Sequence, residues 1–225
     1  MTATLVKQGI REKIAALYAV RAPENEHSLG ELIAMFRDNH AEAMRSFNRL
    51  VIGFVLVWIL CYLISAGIIK EGEIASFKLS EISLLLLAGP PLLGALFYLV
   101  VATMVGAEIL MNAISEDLRY RLPKAYEMDL EYLLSPPNAI SVERYLERET
   151  NSQWMNTIRD WWMKSFLFFL FFGSLVGIFH AAFLAWNVHR FPWFVLLPSY
   201  GLGLLFWLRG MLLAYVGAEI ANKNA

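Results

Sequence analysis

The sequence predicts an all-α, polytopic membrane protein with four transmembrane helices, arranged as two tandem parallel-repeat helical hairpins, each preceded by an amphipathic cytoplasmic helix. Three observations predict it: four apolar runs of bilayer length, a segregation of basic residues between the connecting segments, and a tetrapeptide that recurs at the same place in each half. The runs are Leu50 to Ile69, Ser83 to Val105, Phe166 to Trp186 and Phe194 to Val216. Each holds about 20 residues, and at about 1.5 Å per residue that is roughly 30 Å of helix, the thickness of a hydrocarbon core. Composition agrees, with 58% hydrophobic, 14% aromatic and only 17% charged residues, against about 25% charged in an average soluble domain. A water-soluble fold would have to hide all four runs inside one 225-residue core, which interior helices of soluble proteins do not require.

Segment 1–49 precedes the first hairpin and is expected to be cytoplasmic and helical. Ser28-Leu29-Gly30-Glu31 matches a capping box, and Leu29, Leu32, Ile33, Phe36, Met44 and Phe47 follow it at helical spacing. An earlier helix carries Val6, Ile10, Ile14 and Leu17 on one side; its mixed polar face of Lys7, Arg11, Glu12 and Lys13 favours docking on other helices over lying on the membrane surface. The first 48 residues contain no apolar core of the signal-peptide kind, so no cleavable leader is expected. The hairpins occupy 50–109 and 165–220, a 55-residue cytoplasmic segment spans 110–164, and 221–225 is a short tail. Pro123 and Ser135-Pro136-Pro137-Asn138 break the central segment. A second amphipathic helix is expected from near Ser141, with Val142, Tyr145, Leu146, Met155, Ile158 and Trp162 on its apolar side. Trp154, Trp161 and Trp162 beside Lys164 form a cytoplasmic interfacial belt, with Trp186 and Trp193 as its outer counterpart.

Seven basic residues precede the first span (Lys7, Arg11, Lys13, Arg21, Arg37, Arg45, Arg49) and seven more lie between the second and third (Arg119, Arg121, Lys124, Arg144, Arg148, Arg159, Lys164). The other two connections carry only Lys70, Lys78 and Arg190. Both termini and the central segment are therefore expected to be cytoplasmic, which fits a multi-pass protein of a bacterial inner membrane. Cys61 is the single cysteine, so intrachain disulfides and thiolate metal clusters are excluded.

The halves match each other in two places. Leu93-Gly94-Ala95-Leu96-Phe97-Tyr98-Leu99 resembles Leu202-Gly203-Leu204-Leu205-Phe206-Trp207-Leu208, and Gly106-Ala107-Glu108-Ile109 recurs as Gly217-Ala218-Glu219-Ile220. Apolar runs match one another by chance, but a repeated Gly-Ala-Glu-Ile at the same helix end is harder to assign to chance. Two spans separate the equivalent helices, so the copies point the same way through the membrane.

Chemistry is thinly represented. No His-Glu-x-x-His, phosphate-binding glycine loop or Gly-x-Ser-x-Gly occurs, and His27, His40, His180 and His189 lack metal-ligand spacing. No catalytic residue, metal or cofactor is expected, and no nucleic acid partner. Arg209 stands about ten residues inside the cytoplasmic end of the fourth span, where an arginine near a helix centre costs about 2.5 to 3.5 kcal/mol. It either snorkels to the headgroups or bonds Ser174, Tyr98 or Cys61, and satisfaction inside the bundle is the favoured reading over an ion pathway. His180 is expected to hydrogen-bond across helices near Ser199 and Tyr200, in preference to sensing protons. Pro90, Pro91 and Pro198 are expected to kink their helices, freeing the carbonyls of Leu86, Leu87 and Phe194. Freed carbonyls of this kind are most often satisfied by neighbours and less often coordinate an ion.

Packing positions are clearer. Gly173, Gly177, Ala181 and Ala185 recur every four residues on the third span; Gly203, Gly210, Ala214 and Gly217 form a strip on the fourth, and Ala95, Ala102 and Gly106 on the second. Two stripes suffice for one bundle, leaving a third for another subunit. Glu108 and Glu219 would emerge together at the cytoplasmic end, paired with interfacial Arg or Lys or with a partner's basic residues. The resulting expectation is a non-catalytic module that binds the lipid bilayer and another membrane or cytoplasmic protein, with homo-oligomerisation compatible. The competing expectation is an oligomeric pore or membrane-permeabilising effector, suggested by Arg209, the prolines and the spare glycine stripe.

Overall fold

A computed structural model describes residues 25–66, 79–124, 153–189 and 192–224. They form four α-helices: α1 (Asn25–Ser65), α2 (Leu79–Arg121), α3 (Gln153–His189) and α4 (Trp193–Asn224). All four are long and apolar enough to cross a membrane, with candidate spans at Ala34–Ile64, Leu86–Arg121, Leu167–Asn187 and Trp193–Gly217. Among the described residues the fold is all-α, with four helices suited to span a membrane, as in a multi-pass membrane protein. At 32 to 43 residues, each helix is about 48 to 65 Å long and outruns a hydrocarbon core of about 30 Å.

The surplus length corrects the expected division into amphipathic helix and span. α1 begins at Asn25, three residues ahead of the capping box, so Ser28 lies inside its first turn. It then runs unbroken into the first apolar run, because neither proline nor an exposed loop sequence lies between Phe47 and Leu50. α3 likewise carries 153–165 and the third apolar run as one helix. The helix expected near Ser141, the N-terminal helix through Val6 and Leu17, and Ser135-Pro136-Pro137-Asn138 lie outside the described residues. α1 is described to Ser65, with the Ala66 amide still donating to the Tyr62 carbonyl at 2.8 Å, and the rest of the expected run, to Ile69, lies outside the described residues. α2 continues a dozen residues past Ile109, ending where Leu122 precedes Pro123, a residue pair that disfavours further helix. Arg119 and Arg121 in its last turn suit the negative end of the helix dipole.

The chain falls into two compact units. One comprises Ser46–Ala102 and Arg159–Ala214, the other Met1–Arg45, Thr103–Ile158 and Tyr215–Ala225. In the first, Leu86, Leu93, Phe97, Val100, Ile178, Ala181 and Ala185 are fully buried. Its exterior is equally apolar: Phe169, Phe183, Leu205 and Leu212 are each more than 60% exposed. A core and a surface of the same polarity mark a chain solvated by lipid, since a soluble protein does not leave apolar faces of this extent to water.

Lipid offers no hydrophobic drive for helices to associate, so close packing must hold them. The α2–α4 contact is the closest. A Cβ built on Gly94 would stand 3.0 Å from Gly203 Cα, and one on Gly203 would stand 2.6 Å from the Pro90 carbonyl oxygen. Seven residues further along α4, a Cβ on Gly210 would stand 2.7 Å from the Phe97 ring. Residue numbers rise together on both helices, so α2 and α4 run parallel, and a seven-residue step is the spacing of left-handed helix packing. α3 joins through Gly177, in ordinary contact with Leu93 and Trp58, and through Ala181, opposite Gly89. Gly173, expected on the same stripe, faces open space: the α3 surface turned inward follows Ser174, Gly177, Ile178, Ala181 and Ala185. Ala214 is half-buried.

Gly203→Ala is expected to lower stability by about 1 to 3 kcal/mol, the cost of overpacking. Gly173→Ala, which adds a methyl to empty space, should leave stability unchanged or raise it. Unfolding midpoints of the two variants in a denaturing-detergent titration check this; equal midpoints would contradict the α2–α4 contact.

Candidate functional site

Within the membrane unit the polar side chains gather at three places. The first is the proline-bearing stretch of α2. Pro91 has no N–H to give the Leu87 carbonyl four residues earlier, and Ser199 Oγ on α4 donates to that carbonyl at 2.5 Å. Helix α2 continues through Pro90 and Pro91, and α4 through Pro198. Pro90 is buried, Pro91 half-buried and Pro198 exposed.

Trp207, Ser174 and Phe171 make up the second. Trp207 Nε1–H donates to Ser174 Oγ at 3.0 Å and to the Phe171 carbonyl at 3.2 Å. The Ser174 hydroxyl donates to the same carbonyl at 2.8 Å. Ser174 is wholly buried, so its hydroxyl satisfies a neighbouring tryptophan on α4 and is not a partner of Arg209. Phe97 packs beside this group, edge-on to Phe171 at 5.6 Å and stacked on Trp207 at 6.1 Å.

Arg209 is the third, and it is exposed. Its Cζ lies 5.2 Å from the centroid of the Tyr98 ring, a cation–π contact. Of the three neighbours named from the sequence, Tyr98 is the one it meets. Cys61 is buried elsewhere in the unit, close to Gly89. Among the described residues no carboxylate pairs with Arg209.

His180 departs from expectation. Its ring is 6.3 Å from Tyr62 on α1, Ser199 is committed to Leu87, and Tyr200 lies against Phe179 at 5.2 Å. A carbonyl stripped of its helical donor is the needier acceptor, and it captures the serine.

The second unit buries three titratable side chains, two of which, Glu116 and Asp117, were not anticipated from the residues alone. His40, Glu116 and Asp117 are buried, at 5%, 3% and 5% exposure. Asp117 pairs with Arg121 at 2.9 Å, and Glu116 stands 3.8 Å from Arg119. His40 Nδ1 has no hydrogen-bond partner among the described residues. Glu108 is exposed, near enough for its charge to act on His40. Glu219 lies in α4, with its side chain outside the description. Gly217 rests on Val105, where an added Cβ would come within 2.8 Å. The i,i+4 spacing of Asp117 and Arg121 was a usable signal, as was Trp207, a tryptophan far from either span end that needs an acceptor for its indole N–H.

No protein-family model matches the chain, and no curated protein or solved structure is similar to it. Among the described residues no group of three or more His, Cys, Asp or Glu side chains is placed to hold a metal ion.

Ser199→Ala is expected to cost about 0.6 to 1.7 kcal/mol, the range for hydrogen bonds between membrane helices. Pro91→Ala restores an amide at residue 91 for the Leu87 carbonyl, so the same serine substitution should cost much less in that background. A double-mutant cycle on unfolding free energies checks the coupling; additive effects would show that the serine does not serve the proline.

Proposed function

We propose that this chain is a non-catalytic integral membrane protein that acts through protein–protein contacts, as a subunit, an assembly factor, or an immunity- or exclusion-type factor of a membrane complex. The observation that carries the reading is the direction of the polar groups in the spans. Ser199 on α4 turns onto Leu87 on α2, and Trp207 on α4 turns onto Ser174 and Phe171 on α3. Each is consumed in joining helices, and a transport path or catalytic centre requires such groups to remain available.

The basic residues before the first span and between the second and third support a bacterial inner-membrane setting, with both termini and segment 110–164 in the cytoplasm. The charged ends of α1 and α2 then offer the contact surface for a cytoplasmic partner. Internal duplication has support of its own. Gly94 and Gly203, the glycines aligned by the sequence match, lie against each other, as equivalent positions do beside a two-fold axis along the membrane normal. Amphipathic character in the cytoplasmic part of each unit belongs to the same reading, as does homo-oligomerisation through small-residue faces not used inside the unit, such as the open side of Gly173.

One observation favours the alternative, an oligomeric pore or permeabilising effector: the exposed charge of Arg209 on α4. Copurification after mild detergent extraction, with native mass of the complex, separates the two. A stoichiometric companion protein is the expected result. Crosslinking in native membranes that recovers the chain alone would contradict it, and ion flux through proteoliposomes above protein-free controls would establish the alternative.

A further inference from the structure

We infer that Arg209 and Tyr98 form a binding site for the phosphate of an anionic phospholipid, in the leaflet nearer the C-terminal end of α4. Depth is the first argument. Arg209 lies sixteen residues after Trp193, about 24 Å along the helix. Trp193 is 64% exposed at the start of α4 and is a tryptophan of the interfacial kind. With that residue at one boundary of a hydrocarbon core of about 30 Å, the Arg209 backbone sits about 6 Å short of the other. An arginine side chain spans that gap and brings its guanidinium to the level of the phosphates.

Geometry is the second argument. The Arg209 Cζ lies 5.2 Å from the Tyr98 ring centroid, a contact that limits the side chain's freedom, while its exposure leaves N–H donors accessible. The guanidinium carries five donors in a planar fork that matches phosphate oxygens two at a time. Leu205 and Leu212, four residues before and three after Arg209 on α4, are exposed, as is Leu99 next to Tyr98 on α2, and they offer acyl chains an apolar bed. No carboxylate among the described residues competes for the charge. A net-negative headgroup suits the site better than a zwitterionic one, whose own ammonium contends for the same phosphate.

The whole chain in nanodiscs, studied by native mass spectrometry against phosphatidylglycerol, phosphatidylethanolamine, diacylglycerol and inorganic phosphate, tests the assignment. Wild type is expected to retain phosphatidylglycerol most strongly, then phosphatidylethanolamine, with little diacylglycerol and no displacement by millimolar inorganic phosphate. Arg209→Gln should weaken phosphatidylglycerol binding about tenfold, the loss of one charge-assisted contact. Tyr98→Leu, which leaves the charge but removes its platform, should weaken it about threefold. Arg209→Lys keeps the charge without the fork and should fall between wild type and Arg209→Gln, a second reading should Arg209→Gln fail to fold. Equal retention by wild type and Arg209→Gln, equal binding of diacylglycerol and phosphatidylglycerol, or full displacement by inorganic phosphate would each overturn the site. So would an Arg209-dependent crosslink to a carboxylate of a second polypeptide.

Discussion

Lipid supplies no hydrogen bonds, and every polar atom that enters it must find its partner within the protein. That constraint accounts for the way α2, α3 and α4 hold together. Pro91 removes a donor from α2, and the Leu87 carbonyl so exposed draws Ser199 of α4. One turn beyond Ser199 comes Gly203, whose backbone lies on Pro90. The hydrogen bond and the backbone contact therefore reinforce each other at one crossing: the prolines create the need for a donor, and the missing glycine side chains let α4 come near enough to meet it. Trp207 ties α4 to α3 by donating to the Ser174 hydroxyl oxygen and the Phe171 carbonyl. Phe97 fills the space among them, held by rings on two helices.

Phenylalanine and leucine cover the exterior of the membrane unit, and Arg209 breaks the pattern with a charge laid over Tyr98. At their ends α1 and α2 extend well past a hydrocarbon thickness and carry charges such as Arg37, Asp38, Arg45, Arg119 and Arg121. Those ends are where the proposed function places a cytoplasmic partner.

Much of this was legible in the residues. Bilayer thickness imposes a length on apolar runs, so four spans stand out from Leu50, Ser83, Phe166 and Phe194 onward. The seven-residue step of Gly203, Gly210 and Gly217 is equally plain, because only a close neighbour makes a run of absent side chains useful. The loss of the Leu87 hydrogen bond follows from Pro91 alone. What the sequence does not carry is the identity of the neighbour. Ser199 is as near to His180 as to Leu87 in depth, and only the azimuth of each helix decides between them. Azimuth also explains Gly173: a four-residue stripe drifts around a 3.6-residue helix, and by Gly173 it has turned away from the interior. Glu116 and Asp117 were missed because carboxylates read as solvated: their partners Arg119 and Arg121 are local, but their burial comes from tertiary packing.

The parallel crossing of α2 and α4 in a lipid environment is the claim on which the rest stands. Solid-state NMR on glycine-labelled protein in bilayers measures it directly, through magnetisation transfer between the backbones of Gly94 and Gly203. A cross-peak between these two residues, more than a hundred positions apart in sequence, is the predicted result. Resolved signals from both glycines with no transfer between them would contradict the account.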